Sequence, residues 1–361
     1  MALDEAPSLS PRARRLLLAG GALAALLLAL GVAAYAPDRP VEELSRVYAA
    51  PGSGSRFVEL DGIAVHLRDG GARAAAGGAT QIEAQGLMKP GAPAASNAPN
   101  PGSDPDPVPI VLIHGTSASL HTWDGWAQAL EADGRRVVRF DLPGFGLTGP
   151  NLQNDYSIDA YVRFVRLLLD RLEIGRAVVA GNSLGGQIAW NFAAAYPERV
   201  EALVLVDASG YPLAPESVPL GFRIARTPLL REAAPYLLSR RLIRASIENV
   251  YGDPSKVSDD LVERYYLLTL REGNRRALLR RFEQGYAGDT AALRRLRVPT
   301  LILWGGRDRL IPPSHAERFA ADIALAQKVV FPALGHVPHE EDPQATVAVL
   351  RRFLGLSSAP R

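Results

Sequence analysis

The sequence predicts a mostly parallel β-sheet with helices on both faces, a single helical insertion above the sheet, and a membrane-spanning helix ahead of it. Three observations carry this expectation. Short apolar runs at Ile110–Ile113, Val137–Phe140, Ala177–Ala180, Leu203–Val206, Thr300–Leu303 and Lys328–Phe331 alternate with helical patterns, as expected of strands buried on both faces. The alternation stops between Tyr211 and about Arg295, where Leu230–Ile243 and Leu261–Phe282 place apolar residues at helical spacing. Such an insertion reads as a cap, residues 211–295, set over the carboxyl edge of the sheet. Finally, Leu16 to Ala36 runs 21 residues without a charge, close to the roughly 20 needed to cross a bilayer as a helix.

At the N-terminus, Arg12, Arg14 and Arg15 precede this run, and Asp38, Glu42 and Glu43 follow it. The positive-inside rule then leaves residues 1–15 cytoplasmic and places the rest on the far side, periplasmic or at the cell surface. A cleaved signal peptide, giving a secreted protein, is the alternative, because Ala34-Tyr35-Ala36 resembles an A-x-A site. The run is longer than an ordinary signal core, and Pro37 directly after the cut is unfavourable. A buried core helix is the third reading. Residues 37–56 read as a linker, and 57–361 as one large domain. Within it, Phe57–Arg68 alternates apolar and polar residues around Asp61-Gly62, the pattern of a β-hairpin. Residues 70–107 are rich in Ala, Gly, Pro, Asn and Ser and read as a disordered insertion between strands.

Composition narrows the chemistry. A net charge of +2 from 40 basic and 38 acidic residues gives no reason to expect nucleic acid as a partner. With no cysteine, the chain can form no disulfide, thiol nucleophile or thiolate metal site. Six histidines remain. Val178-Val179-Ala180-Gly181-Asn182-Ser183-Leu184-Gly185-Gly186 is the most informative stretch: a strand, G-x-S-x-G, then a helix expected from Gln187 to Ala195 that stops before Pro197. Ser183 on so tight a turn requires neighbours without side chains, which Gly181 and Gly185 supply. The helix beginning there directs a positive dipole and free N–H groups at the same point. Upstream, strand Ile110–Ile113 ends in His114-Gly115-Thr116-Ser117; His114 reads as a structural residue bonded to the loop backbone. Asp141 to Gly146 reads as loop scaffolding, with Phe145 at the pocket edge. Gly335-His336 follows the last strand run, on the edge where sites of open α/β sheets gather, with His339 as the local competitor. His66, His121 and His315 have no comparable context and default to the surface. For a carboxylate to orient the imidazole, Asp308 follows strand Thr300–Leu303, and Asp207 follows Leu203–Val206. Pairing with Arg307 or Arg309 is the structural alternative for Asp308.

HGTS, DLPGFG, GNSLGG, WGGRD and GHVPHEEDP, in this order, resemble the α/β-hydrolase superfamily, within the group that includes esterases, lipases and meta-cleavage C–C hydrolases. The resemblance covers about Phe57 to Leu356. It implies an α/β-hydrolase fold with the chain order Ser, Asp, His, hence Ser183 as nucleophile, Asp308 as acid and His336 as base, with Asp207 as alternative acid. It also implies an oxyanion hole made by the N–H groups of Thr116 and Leu184. No metal or organic cofactor is implied. Haloalkane dehalogenases and epoxide hydrolases carry Asp where Ser183 stands, which argues against both chemistries. C–C hydrolases commonly place Trp after the histidine, where this chain has Val337. The expected function is therefore hydrolysis of a small-molecule, apolar carboxylic ester through an acyl-enzyme. A C–C hydrolase is the runner-up, and a non-catalytic binding protein on the same fold the reading from another class.

Overall fold

Around Asp61-Gly62 the chain reverses with both residues left-handed, at φ 49° and 81°, the geometry a two-residue hairpin needs to match strand twist. The flanking strands β1 (Ser55–Leu60) and β2 (Ile63–Gly70) pair antiparallel with Leu60 opposite Ile63. They are followed by β3 (Ile110–Ile113), β4 (Val137–Phe140), β5 (Ala177–Asn182), β6 (Val200–Val206), β7 (Thr300–Gly305) and β8 (Ala326–Phe331). In this computed structural model the described residues are 35–71, 107–212, 216–227, 236–285 and 289–356, with scattered positions between 10 and 22.

The eight strands form one sheet in the order β1-β2-β4-β3-β5-β6-β7-β8, parallel from β4 onward. The expected runs are all strands, several extending a few residues further. Gly70, expected in the insertion, is the last residue of β2 and pairs with Val137 of β4; the remainder of that insertion, 72–106, lies outside the described residues. Alternate residues of β3 feed different layers: Val111 and Ile113 enter the larger core and Ile110 and Leu112 the smaller. This is why the strand reads as a continuous apolar run.

Helix α1 (Val41–Tyr48) precedes the sheet, and α2 (Asp124–Ala132), α3 (Ile158–Arg171) and α4 (Leu184–Ala195) cover its two faces. In α3, Ile158, Tyr161, Val162, Val165, Leu168 and Leu169 are buried at helical spacing, and the Ser157 hydroxyl caps the start by accepting from the Ala160 N–H at 3.2 Å. Helix α4 begins at Leu184, not Gln187, because Gly185 and Gly186 are needed for close packing against neighbouring backbone. A Cβ on either would collide, with the Ile113 carbonyl or with Ala208 respectively.

The stretch between β6 and β7 is helical: α5 (Leu220–Arg226), α6 (Arg240–Val250), α7 (Asp259–Thr269) and α8 (Asn274–Glu283). The expected continuous segment Leu261–Phe282 is broken at Leu270–Gly273, with Gly273 left-handed at φ 84°. The break frees backbone groups that pair elsewhere: Arg39 N–H donates to the Leu270 carbonyl at 2.7 Å, and Glu272 N–H to the Arg39 carbonyl at 2.9 Å. In the expected segment Leu230–Ile243, residues 230–235 lie outside the described residues, and helix starts at Arg240 under the Ser239 cap. The domain closes with α9 (Ser314–Asp322), a single turn at Pro338–Glu341 and α10 (Pro343–Phe353).

Residues 37–56, expected as a linker, carry α1, whose Leu44 is buried against Leu147 and Leu268. Burying that one apolar face costs the stretch its freedom. The Leu16–Ala36 run lies largely outside the described residues; among the described residues no helix is long and apolar enough to cross a membrane.

Candidate active site at the carboxyl edge

The chain runs from β3 to β4 on one side and then crosses to β5 on the other, so the strand order reverses between β3 and β5. That is where ligands of open α/β sheets bind. Ser183 stands at the end of β5 with φ 55° and ψ −115°, a conformation costing on the order of 1–3 kcal/mol for a residue other than glycine. Its surroundings hold it there: Ser183 N–H donates to the Val206 carbonyl at 3.1 Å, and Ser209 N–H donates to the Ser183 carbonyl at 3.0 Å. A Cβ on Gly181 would collide with the Gly185 carbonyl, so the turn closes only with glycine. Thr116, after β3, lines the same cavity as Ser183, and Leu184 supplies the first helical N–H of α4. Helix geometry leaves that N–H without an internal acceptor.

His336 and Asp308 meet at the same edge. Asp308 Oδ2 accepts from His336 Nδ1–H at 2.7 Å, and Oδ1 accepts the N–H groups of Leu310 and Ile311 at 2.8 and 2.9 Å. Arg307 and Arg309 instead donate to the carbonyls of Gly252 and Asn249. With Nδ1 occupied, Nε2 is the imidazole nitrogen left to exchange a proton, and His336 and Ser183 line one cavity. Close backbone approach brings the two loops together: a Cβ on Gly305 would collide with the Gly335 carbonyl, and one on Gly335 with the Val250 carbonyl.

Asp207 lies beside this pair but is in a different state. Its Oδ1 accepts the Gly305 N–H at 2.9 Å. Complete burial, then the charge of Asp308, push its carboxyl well above the usual carboxylate range. A protonated Asp207 is a donor for Asp308 rather than a rival for the imidazole. Asp207, Asp308 and His336 are also the one cluster of metal-ligand spacing among the described residues, their ligand atoms lying within 4.8 Å. Both oxygens of Asp308 and Oδ1 of Asp207 accept from His336 or from backbone N–H groups, and Asp207 Oδ2 is buried without such a donor.

The other histidines are internal. His114 is fully buried, with Nδ1 bonded to the Gly115 carbonyl at 2.7 Å and Nε2 accepting from Leu142 N–H at 2.9 Å, the backbone role expected of it. Phe145 packs edge-on against it and is not part of the wall around Ser183. His339 lies over Trp123 at 3.9 Å between ring centroids and bonds Thr122. Burial, then the charge of His336, lower it well below the ordinary histidine range. His66, His121 and His315, expected at the surface, are buried: His66 pairs with Asp141 at 2.7 Å, His121 with Asp124 at 3.3 Å, and His315 packs on Tyr211. Asp124 is a local partner of His121, three residues on, whereas the partners of His66 and His315 are distant along the chain and leave no local signal.

A family model described as the alpha/beta hydrolase fold matches residues 108–343. The chain belongs to the α/β hydrolase fold family. It is 31% identical over 260 residues to 2-hydroxymuconate semialdehyde hydrolase of a Pseudomonas species (strain CF600), covering 70% of this chain and 88% of that protein. It is also 31% identical over 252 residues to the dihydrolipoyllysine-residue acetyltransferase component of the acetoin cleaving system of Pseudomonas putida, covering 68% of this chain. This chain spans only 63% of that relative's length. The crystal structure of a membrane phospholipase A, described as a bacterial virulence factor, superposes with a TM-score of 0.64 at 25% identity, covering 95% of this chain and 96% of that one.

In this α/β hydrolase two supporting residues escaped sequence reasoning. Asn182 Nδ2 donates to the carbonyls of Val206 and His336 at 3.1 and 3.0 Å, tying the strand end to the histidine loop. Glu341 accepts the N–H groups of Gly252, Asp253 and Gly335 at 2.9, 2.9 and 2.8 Å, joining cap to loop. Both stand inside motifs that carry the family resemblance, GNSLGG and GHVPHEEDP, which is the only signal they offer. Above Ser183 lies a cavity of about 260 Å³, walled mainly by cap residues such as Phe222, Ile224, Leu242, Ile247 and Leu278.

Proposed function

We propose that this α/β hydrolase cleaves carboxylic esters with an apolar acyl or alcohol part through a covalent acyl-enzyme on Ser183. The observation that carries the reading is the 2.7 Å bond between buried Asp308 and His336 in the same cavity as a strained Ser183. In this mechanism His336 Nε2 takes the Ser183 proton as Oγ attacks the carbonyl, and Asp308 stabilises the imidazolium. The N–H groups of Thr116 and Leu184 hold the oxyanion, the imidazolium protonates the leaving alkoxide, and a water activated by His336 releases the acid. The apolar cap wall suits an alkyl chain, and Val337, which lines the same cavity, stands where C–C hydrolases commonly carry Trp. Likeness to 2-hydroxymuconate semialdehyde hydrolase favours a second reading, C–C cleavage at the same serine.

A panel of p-nitrophenyl esters of rising chain length, assayed beside a vinylogous 1,5-diketone, separates the two: ester turnover exceeding diketone turnover is expected, and the reverse order replaces the first reading with the second. Ser183→Ala and His336→Ala are expected to lower either turnover by several orders of magnitude, since such residues act as a unit. Labelling by a fluorophosphonate that is lost in Ser183→Ala separates both enzymes from a non-catalytic binding protein.

We further propose that Leu16–Ala36 anchors the protein with its catalytic domain outside the cytoplasm. The uncharged run behind three arginines supports this, as does likeness to a membrane phospholipase A along 95% of the chain. Full-length protein is expected to sediment with membranes and to resist high-salt extraction. Recovery of soluble protein beginning at or near Pro37 would replace the anchor with a cleaved signal.

A further inference from the structure

The cavity above Ser183 has a mainly apolar wall, broken on the cap side by the hydroxyls of Ser246, Tyr265 and Thr269. Among its described lining residues Arg275 alone bears a permanent charge, and it is only 6% exposed. A buried guanidinium is costly unless its donors are paired. Asp38, arriving from the segment ahead of α1, takes Nη2 at 2.5 Å, yet Nε and Nη1 have neither solvent nor a hydrogen-bond partner. Arg135 and Arg139 also bury an unpaired Nε, but neither lines this cavity. Arg275 is the second residue of α8, and the Gly273 N–H just before that helix approaches Asp38 Oδ2 at 3.4 Å. A carboxylate already rests against this corner, and the helix dipole adds to its attraction for anions.

We propose that Arg275 recognises an oxyanion, carboxylate or phosphate, carried by the substrate in addition to its ester. The preferred substrate is then amphipathic: an alkyl portion along the cap wall and an anionic group that the Arg275 guanidinium, whose Nε and Nη1 are covered by protein here, turns to meet. This rests on the ester-hydrolase reading. Ester chemistry at Ser183 needs no cation of this kind, since the developing oxyanion faces N–H groups at the sheet edge while Arg275 belongs to the cap. A neutral chain end would leave the buried donors unpaired, and a site built to hydrogen-bond discriminates most strongly against ligands lacking the partner group.

The test compares, in full-length detergent-solubilised protein, p-nitrophenyl monoesters of dicarboxylic acids from succinate to dodecanedioate with uncharged p-nitrophenyl alkanoates of equal length. A parallel series ends in a phosphate monoester, and the better series identifies which oxyanion the corner takes. At the best length, wild type is expected to favour the anionic ester in kcat/KM. Arg275→Gln is expected to reduce that ratio by about ten- to a hundredfold, the worth of a charge-assisted hydrogen bond. Arg275→Lys is expected to restore part of it, and Asp38→Asn to preserve it. A ratio of Arg275→Gln equal to that of wild type overturns the proposal. If no ester is turned over, the ester reading fails separately, and calorimetry on Ser183→Ala protein decides the present one. Monomethyl and dimethyl esters of the same diacids serve as probes: tighter binding of the charged monoester that disappears in Ser183→Ala/Arg275→Gln supports it, and equal binding overturns it.

Discussion

Two carboxyl groups beside one imidazole are told apart by their hydrogen bonds. Asp308 receives the His336 Nδ1–H and two backbone N–H groups, whereas Asp207 receives one N–H and is raised by burial and by Asp308 itself. Under the proposed mechanism, Asp308→Asn is expected to lower kcat by about 10³–10⁴, because the imidazole loses the partner that sets its tautomer. Asp207→Asn keeps a neutral group that can still donate to Asp308, and its effect is expected to stay below about tenfold, the scale of one hydrogen bond. Steady-state kinetics on matched variants with intact circular dichroism decide between them. A larger loss in Asp207→Asn moves the acid one strand earlier.

At the scale of elements, the cap is held by the chain that precedes the domain. The backbone of Ala36 donates to the Tyr236 carbonyl at 2.9 Å, Arg39 bonds Leu270 and Glu272, and Asp38 reaches Arg275. Residues 36–39 are thus stitched to Tyr236, to the break between α7 and α8 and to the start of α8, before α1 packs Leu44 against Leu147 and Leu268. A protein beginning at Val41 loses all of these bonds but keeps α1, whereas one beginning at Tyr35 keeps both. The shorter protein is expected to be less stable by about 2–6 kcal/mol, given about 0.5–1.5 kcal/mol for each of the four net hydrogen bonds, and to be cleaved faster within 240–285 by a dilute protease. Urea midpoints for the two proteins, with peptide mapping of the first cuts, measure this; equal midpoints would mean the stitch contributes nothing.

Across the whole molecule, the buried Asp141 links the hairpin to the sheet. It accepts from Leu120 and Leu147 N–H groups at 2.7 and 2.8 Å and pairs with His66 on β2. Burial by itself would raise its carboxyl, but His66, then His114 and the Leu120 N–H, outweigh it and hold it at about 2, against an ordinary 3.8. A depressed carboxylate contributes stability that is complete above its unfolded value and is lost as pH falls through the folded one. The contribution is on the order of 2 kcal/mol and is expected to disappear between those two values. Asp141→Asn removes most of it at neutral pH, so the gap in urea midpoint between wild type and variant is expected to narrow as pH falls from neutrality toward about 2, the folded value of Asp141. A gap that stays constant over that range would mean Asp141 is not the group being titrated.

The sheet and the serine turn were legible in the sequence because their causes are local. Strands buried on both faces must be apolar throughout, as at Ile110–Ile113 and Ala177–Ala180, and a turn as tight as that at Ser183 excludes side chains at Gly181 and Gly185. Hairpin reversal at Asp61-Gly62 follows from left-handed backbone in the same way. Tertiary structure alone decided the rest. His66 and His315 are inside because residues far away along the chain cover or pair with them, and no pattern in their own neighbourhood records that. The backbone groups freed at the Leu270–Gly273 break, which a continuous helix would satisfy internally, are paired by Arg39. Asp207 is set apart from Asp308, and Arg275 keeps two unpaired donors beside its ion pair with Asp38, through burial and neighbours more than 90 residues distant in the chain. Local periodicity specifies which surfaces a segment must hide; which charges meet once they are hidden is set only when the elements pack.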